Sequence, residues 1–172
     1  YLVPLADRIR RAQAERLGKP YPLSFADEAL RFASGNPRPA GGPDDILAQG
    51  KKFYDELSPE TSEFFRTMLG GHLMDVLSPP GKESGGYCTS IPDYGVPFIF
   101  ANFNGTQHDV EVVTHEAGHA FACYLNRDRV PSSLVWPTME ACEVHSMSME
   151  FFAWPWSCLL YTSDAADDKA RV

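Results

Sequence analysis

Thr114-His115-Glu116-Ala117-Gly118-His119 is the stretch that decides how the rest of this chain is read, because it sets two histidines four residues apart with a glutamate after the first. On a helix, side chains at i and i+4 lie one above the other, so both imidazoles can reach a single metal ion. His-Glu-x-x-His is a zinc-binding pattern in which His115 and His119 hold Zn²⁺ and Glu116 serves as general base beside the open coordination position. The alternative is a helix whose two histidines are merely hydrogen-bonded in a core. A catalytic zinc takes three protein ligands and a water, so a third ligand from another element separates the two readings. Glu143, on the next helical segment, is the candidate. A third histidine on the same helix is excluded, since Ala122 and Leu125 stand three and six residues past His119.

The segment from about Thr138 to Trp154 reads as a helix with Glu140, Glu143, Met147 and Glu150 on one face. Glu140, one turn before the third ligand, is expected to accept a hydrogen bond from the outer nitrogen of a ligand histidine and fix its tautomer. Glu150 is left open between orienting a ligand and holding a structural partner. Three carboxylates on a mostly apolar helix are expensive to bury unless a cation compensates them, and a divalent metal is such a cation. His145 falls on another face and is read as a packing residue. His72 and His108 are weaker candidates still, and His108 lies in the first turn of the metal helix, where the positive end of the dipole disfavours its protonation.

Working outward, Thr106 with Asp109 reads as a capping start for a metal helix that runs to about Leu125, packed through Val112, Val113, Ala120 and Phe121. Gly118 costs that helix about 1 kcal/mol relative to alanine, so something approaches closely there, the wall of the metal site or a substrate backbone. Phe98 to Phe103, preceded by Pro92 and Pro97, reads as a strand that the prolines push to a sheet edge. An exposed edge can pair with an extended peptide, and a buried strand supporting the helix is an equal alternative. Nearer the start, Leu2, Leu5, Ile9 and Ala12 mark an amphipathic helix over residues 2–17. Tyr21 to Gly42 is a connection in which Ser24 and Asp27 cap a short helix. Pro43, Asp44 and Asp45 open a helix to about Leu57 with Ile46, Leu47, Phe53 and Tyr54 facing inward. Ser58-Pro59-Glu60 opens another, in which Phe64, Phe65, Met68, Leu69, Leu73 and Leu77 continue through a loosened turn at Gly70-Gly71. Residues 78–86 are a loop. The fold class is therefore mainly α, with a small strand or hairpin beside the histidine-bearing helix.

With 172 residues, 44% hydrophobic and 22% charged, the chain has the makings of a globular core. A net charge of −8 argues against nucleic acid or an anionic membrane as partner, and Arg8, Arg10, Arg11 and Arg16 read as a solvated face. Four cysteines without a Cys-x-x-Cys pair fit reduced thiols and a cytoplasmic setting. No signal peptide is recognised, and no apolar run approaches the ~18 residues that span a bilayer. The chain begins at Tyr1 inside a helical pattern and is expected to be a piece of something longer.

Four segments carry a family resemblance. They are Gly86-Tyr87-Cys88-Thr89-Ser90-Ile91-Pro92-Asp93-Tyr94, the run Pro97 to Thr106, the His-Glu-Ala-Gly-His core, and Glu140-Ala141-Cys142-Glu143-Val144-His145-Ser146-Met147-Ser148-Met149-Glu150-Phe151-Phe152. Together they resemble the oligoendopeptidase F branch of the thimet-oligopeptidase-like zinc metallopeptidases, over residues 1–156. Gly35-Asn36-Pro37 and Leu57 to Thr61 also fit. The resemblance implies a helical zincin-type core and a deep channel that admits short unstructured peptides. It implies one zinc held by His115, His119 and Glu143, water activation by Glu116, and an oligopeptide lying along Phe100, Ala101, Asn102 and Phe103. It also implies a downstream His and Tyr cluster that stabilises the oxyanion, to which nothing here corresponds. Residues 157–172 resemble translated sequencing adapter and are expected to be non-native. The expected function is zinc-dependent cleavage of internal bonds in short peptides. The alternatives are a truncated, inactive fragment that only binds metal or peptide, favoured for the isolated chain, and a helical domain with an accidental motif.

Overall fold

The computed structural model describes residues 1–156; the fourth cysteine, Cys158, and the adapter-like tail lie outside the described residues. Two compact units divide the chain after Pro37. In the first, α1 (Leu2–Leu17) buries Ala14 and Leu17 and leaves Leu2, Leu5 and Ile9 exposed. The segment that follows returns along it, held by Gln13 Nε2 donating to the carbonyls of Glu28 and Leu30. Ser24 and Asp27 close a turn there through a 2.7 Å side-chain bond, and the short helix expected at this point does not form.

The second unit opens with α2 (Pro43–Leu57) and α3 (Pro59–Gly70), each started by a proline in its first turn. Gly42 N–H donates to Asp45 Oδ2 at 2.9 Å. At the start of α3, Ser58 and Thr61 cap each other, each main-chain N–H donating to the other's hydroxyl at 3.0 and 3.1 Å. The two helices face each other through Phe53, Tyr54, Phe64, Phe65 and Met68, all fully buried, with Tyr54 stacked on Phe65 at 4.4 Å. This aromatic layer is the floor on which the next helix lies. The helical pattern of α3 does not continue to Leu77 as expected. His72 takes a left-handed conformation (φ 52°), Leu73 N–H closes on Met68 O, and the chain turns into β1 (Met74–Asp75). Leu77 is exposed.

β2 (Tyr87–Ile91) and β3 (Val96–Phe100) form an antiparallel hairpin through a tight turn at Pro92–Tyr94, closed by Gly95 at φ 61°. β1 adds in parallel on the other side of β3, giving the order β1-β3-β2. The expected edge strand is thus the central one. Pro97 is tolerated there because its nitrogen faces the β1 side, and β1 pairs only with Ile99 and Phe100. Beyond β3 the chain stays paired, Ala101 and Phe103 donating to the carbonyls of Asp75 and Val76. The free edge belongs to β2. Ile99 N–H points to Leu73 on the β1 side, so the Cys88–Ile99 and Ser90–Pro97 pairs exchange no main-chain bonds. The N–H and C=O groups of Cys88 and Ser90 therefore point outward.

The long helix that follows is not uniform: α4 (Gln107–Glu111) and α5 (Ala117–Asn126) are joined by a π-helical turn, Val112–Glu116. Thr106 N-caps α4 without a side-chain bond, while the buried Asp109 accepts the N–H groups of Asn104 and Gly105 at 2.9 and 2.7 Å. Val112, Val113, Ala117 and Ala120 press onto the aromatic floor, and the Tyr54 hydroxyl donates to Val113 O at 2.9 Å. After a connection with a turn at Ser132–Leu134, α6 (Met139–Phe152) packs across α5. No helix among the described residues is long and apolar enough to cross a membrane.

Candidate metal centre

Where α5 and α6 cross, a Cβ on Gly118 would sit 2.7 Å from Ser146 Cα and 3.1 Å from His145 O. Glycine is required there because the close approach is that of the α6 backbone itself. The helices pass in opposite senses, and Glu143, close to the crossing, reaches both histidines while Glu150 reaches only His115.

Three of the expected side chains converge. His115 Nε2 lies 3.2 Å from Glu143 Oε2, and His119 Nε2 lies 3.8 Å from Glu143 Oε1. One ligand atom from each of His115, His119 and Glu143 falls within 4.8 Å of the others. Ligands at the zinc bond lengths of His and carboxylate, arranged tetrahedrally, are about 3.3 Å apart, so the donor set fits that ion. Ser146, fully buried, donates to Glu143 Oε2 at 3.2 Å and steadies a carboxylate whose side chain is 48% exposed.

Of the two carboxylates expected to support the ligands, Glu150 and not Glu140 meets the outer histidine nitrogen. Glu150 Oε1 accepts from His115 Nδ1 at 2.6 Å, which leaves Nε2 with its lone pair turned to the cluster. Glu140 is exposed and makes no hydrogen bond or ion pair with a described residue. The antiparallel crossing explains the exchange: Glu140 lies at the end of α6 that runs away from His115. His119 Nδ1 is buried without a hydrogen-bond partner among the described residues. Burial, then the charge of His115, lowers the pKa of His119, which favours the neutral imidazole that binds metal.

Glu116 and the three candidate ligands border a cavity of about 390 Å³ whose other walls include Gly86 to Thr89 and Trp136. Burial and then the Glu143 carboxylate raise the pKa of Glu116, opposed by His115 and by the Cys88 main-chain N–H. That N–H is one of the outward-facing groups of β2, a contact that residue types alone could not announce. Trp136 Nε1 donates to Ser90 Oγ at 3.0 Å and ties the wall of the cavity to the same strand. Phe100, Ala101, Asn102 and Phe103 do not line the cavity: the first two and the last pack in or beside the sheet, and Asn102 turns its amide to the carbonyls of Glu83 and Gly85. The expected contact of these four with a substrate is not made from this cavity: Phe100 ends β3 between Tyr87 and Asp75, and Ala101 and Phe103 turn their N–H groups to Asp75 and Val76.

Residues 52–171 match the sequence profile of Peptidase family M3. The chain belongs to that family. This M3 chain is also similar to solved structures: a protein assigned as oligoendopeptidase F from Bacillus anthracis str. Ames (50% identity, TM-score 0.90) and PZ peptidase A, solved with an inhibitor (53%, 0.89). Each match covers 98% of this chain and 30% of the other. A further oligoendopeptidase F structure gives 52% identity and a TM-score of 0.91 over 99% of this chain and 30% of that one. No curated protein matches the chain. The M3 segment is therefore of mainly helical class and spans about a third of the length of the structures it resembles.

Proposed function

We propose that this chain is the metal-binding part of a zinc-dependent endopeptidase that cleaves internal bonds of short, extended peptides. The observation that carries the reading is the meeting of His115, His119 and Glu143 at zinc-like separations, with Glu116 on the wall of the same cavity. When bound, the metal supplies Lewis-acid polarisation of the scissile carbonyl and a lowered pKa for water. Glu116, on the wall of the same cavity, would take a proton from the attacking water and return it to the leaving amine. Its raised pKa brings it nearer the working range of a general acid and base, and the Cys88 N–H fixes its orientation. Glu150 holds His115 in the tautomer that leaves Nε2 for the metal. The outward C=O of Cys88 and the outward N–H and C=O of Ser90 pair with the substrate backbone, which orients a peptide without reading its sequence. The three free cysteines among the described residues suit a reducing cytoplasm.

A second reading applies to the segment alone: it binds zinc and peptide without turnover. The span of 30% of the related chains favours it, and no oxyanion donor is identified among the described residues. In the full-length enzyme, Glu116→Gln is expected to keep stoichiometric zinc and lose turnover; full activity would remove Glu116 from its role. On the 172-residue product, elemental analysis and a chelator-controlled peptidase assay separate the readings. Robust cleavage would show the remainder to be dispensable, and no zinc would leave the motif accidental.

A further inference from the structure

We propose that Lys82 and Asn102 are positioning residues for substrate, fastening residues 78–86 so that the free edge of β2 stays in register with the metal centre. The inference rests on the reading that the β2 edge pairs with peptide. Lys82 lies on a loop with few apolar anchors, yet its side chain is only 8% exposed. Its ammonium donates to the carbonyls of Asp75, Leu77 and Ala101 at 3.0, 2.6 and 2.7 Å and lies 2.9 Å from Asp75 Oδ1. It also sits 4.4 Å above the Phe100 ring. Three protons thus serve four oxygens at the carboxyl ends of β1 and β3, and of the three carbonyls only that of Asp75 has a main-chain partner among the described residues as well, the Ala101 N–H.

Asn102 completes the fastening from the other side. Its amide donates to Glu83 O and Gly85 O, both at 2.9 Å, and its oxygen accepts from Ser78 Oγ at 3.3 Å. Gly86 follows at once, with room for a Cβ only 3.5 Å from Phe100 O, and then Tyr87 and Cys88 enter the cavity wall. The metal ligands ride on α5, α6 and the π turn, whereas the substrate edge rides on β2. Lys82 and Asn102 touch β1, the end of β3 and the loop that leads into β2, and none of the three candidate ligands, so their loss separates peptide binding from metal binding.

The test uses the zinc-loaded full-length enzyme and an unstructured, internally quenched oligopeptide that the wild type cleaves. Lys82→Met is expected to keep one zinc at unchanged affinity, and to raise KM about tenfold with little change in kcat. That factor is what misalignment of one or two main-chain hydrogen bonds removes. Calorimetry in a Glu116→Gln background should show the same loss of peptide affinity. Asn102→Ala, which deletes no charge and serves if Lys82→Met fails to fold, is expected to shift KM in the same direction. Folded variants of normal zinc content with wild-type peptide affinity would overturn the proposal and leave the pair a purely stabilising role. Failure of Glu116→Gln alone to bind the peptide would count against the β2-edge reading itself.

Discussion

Glu150 and Gly118 shape the candidate metal site without belonging to its three-residue cluster. The Glu150 carboxylate fixes the donor tautomer of His115, and loss of such a partner lowers metal affinity by about 10- to 100-fold. Glu150→Ala should therefore weaken zinc binding by that factor while Glu140→Ala leaves it unchanged, as measured by competition with a chromogenic chelator. Equal effects would contradict the hydrogen-bonding pattern. At Gly118, alanine brings about 1 kcal/mol of helix propensity but drives a methyl into the α6 backbone, and overpacking of this kind costs about 1–3 kcal/mol. Backbone cannot rotate away as a side chain can. Gly118→Ala should lower the melting temperature and also zinc affinity, because Glu143 moves with α6; a more stable variant with normal zinc binding would show that the helices separate freely.

At the scale of elements, Asp55 links α2 to α3. It pairs with Lys51 on its own helix and accepts from Ser62 and Arg66 on the next. Those bonds, Lys51 first, lower its pKa from 3.8 to about 2. A depressed carboxylate pKa stabilises the fold above the unfolded value and loses that contribution as pH falls through the folded one. The difference in urea midpoint between wild type and Asp55→Asn should thus be constant near neutrality and close between pH 3.8 and about 2. A difference that persists to the lowest pH would exclude the carboxylate as its source. Helices of this kind were legible from the chain, since Pro43, Ser58 and the inward spacing of Phe53, Tyr54, Phe64 and Phe65 are local signals. The sheet was not. Two-residue β1 has no period to detect, β2 carries Tyr, Cys, Thr and Ser in no apolar alternation, and Pro97 suggested an edge that only the shortness of β1 makes unnecessary. Likewise the choice of Glu150 over Glu140 depended on the sense in which α5 and α6 cross, which no spacing within one helix encodes. The approach of His115 to His119 was readable, because histidine pairs at i and i+4 carry their geometry in the sequence.

For the molecule as a whole, the distribution of apolar surface bears on how the segment behaves alone. α6 buries Cys142, Ser146 and Met149 on one side and leaves Val144, Met147, Phe151 and Phe152 exposed on others, with Trp154 exposed just beyond it. Trp156, by contrast, packs on Phe53 at 5.2 Å. Single exposed apolar residues are ordinary, but this many large ones on one short stretch is the composition of a surface that is covered in use. The related solved chains are about three times as long, which supplies a source for such a cover. The isolated 172-residue chain is therefore expected to bind a hydrophobic dye and to self-associate with rising concentration, and the full-length enzyme to do neither. Replacing Phe151 and Phe152 by serine should reduce dye binding by the short chain without altering its zinc content, since neither residue reaches the ligand cluster. A short chain that sediments as a monomer and ignores the dye would mean that α6 needs no partner, and the same two substitutions would then leave the longer enzyme's stability unchanged.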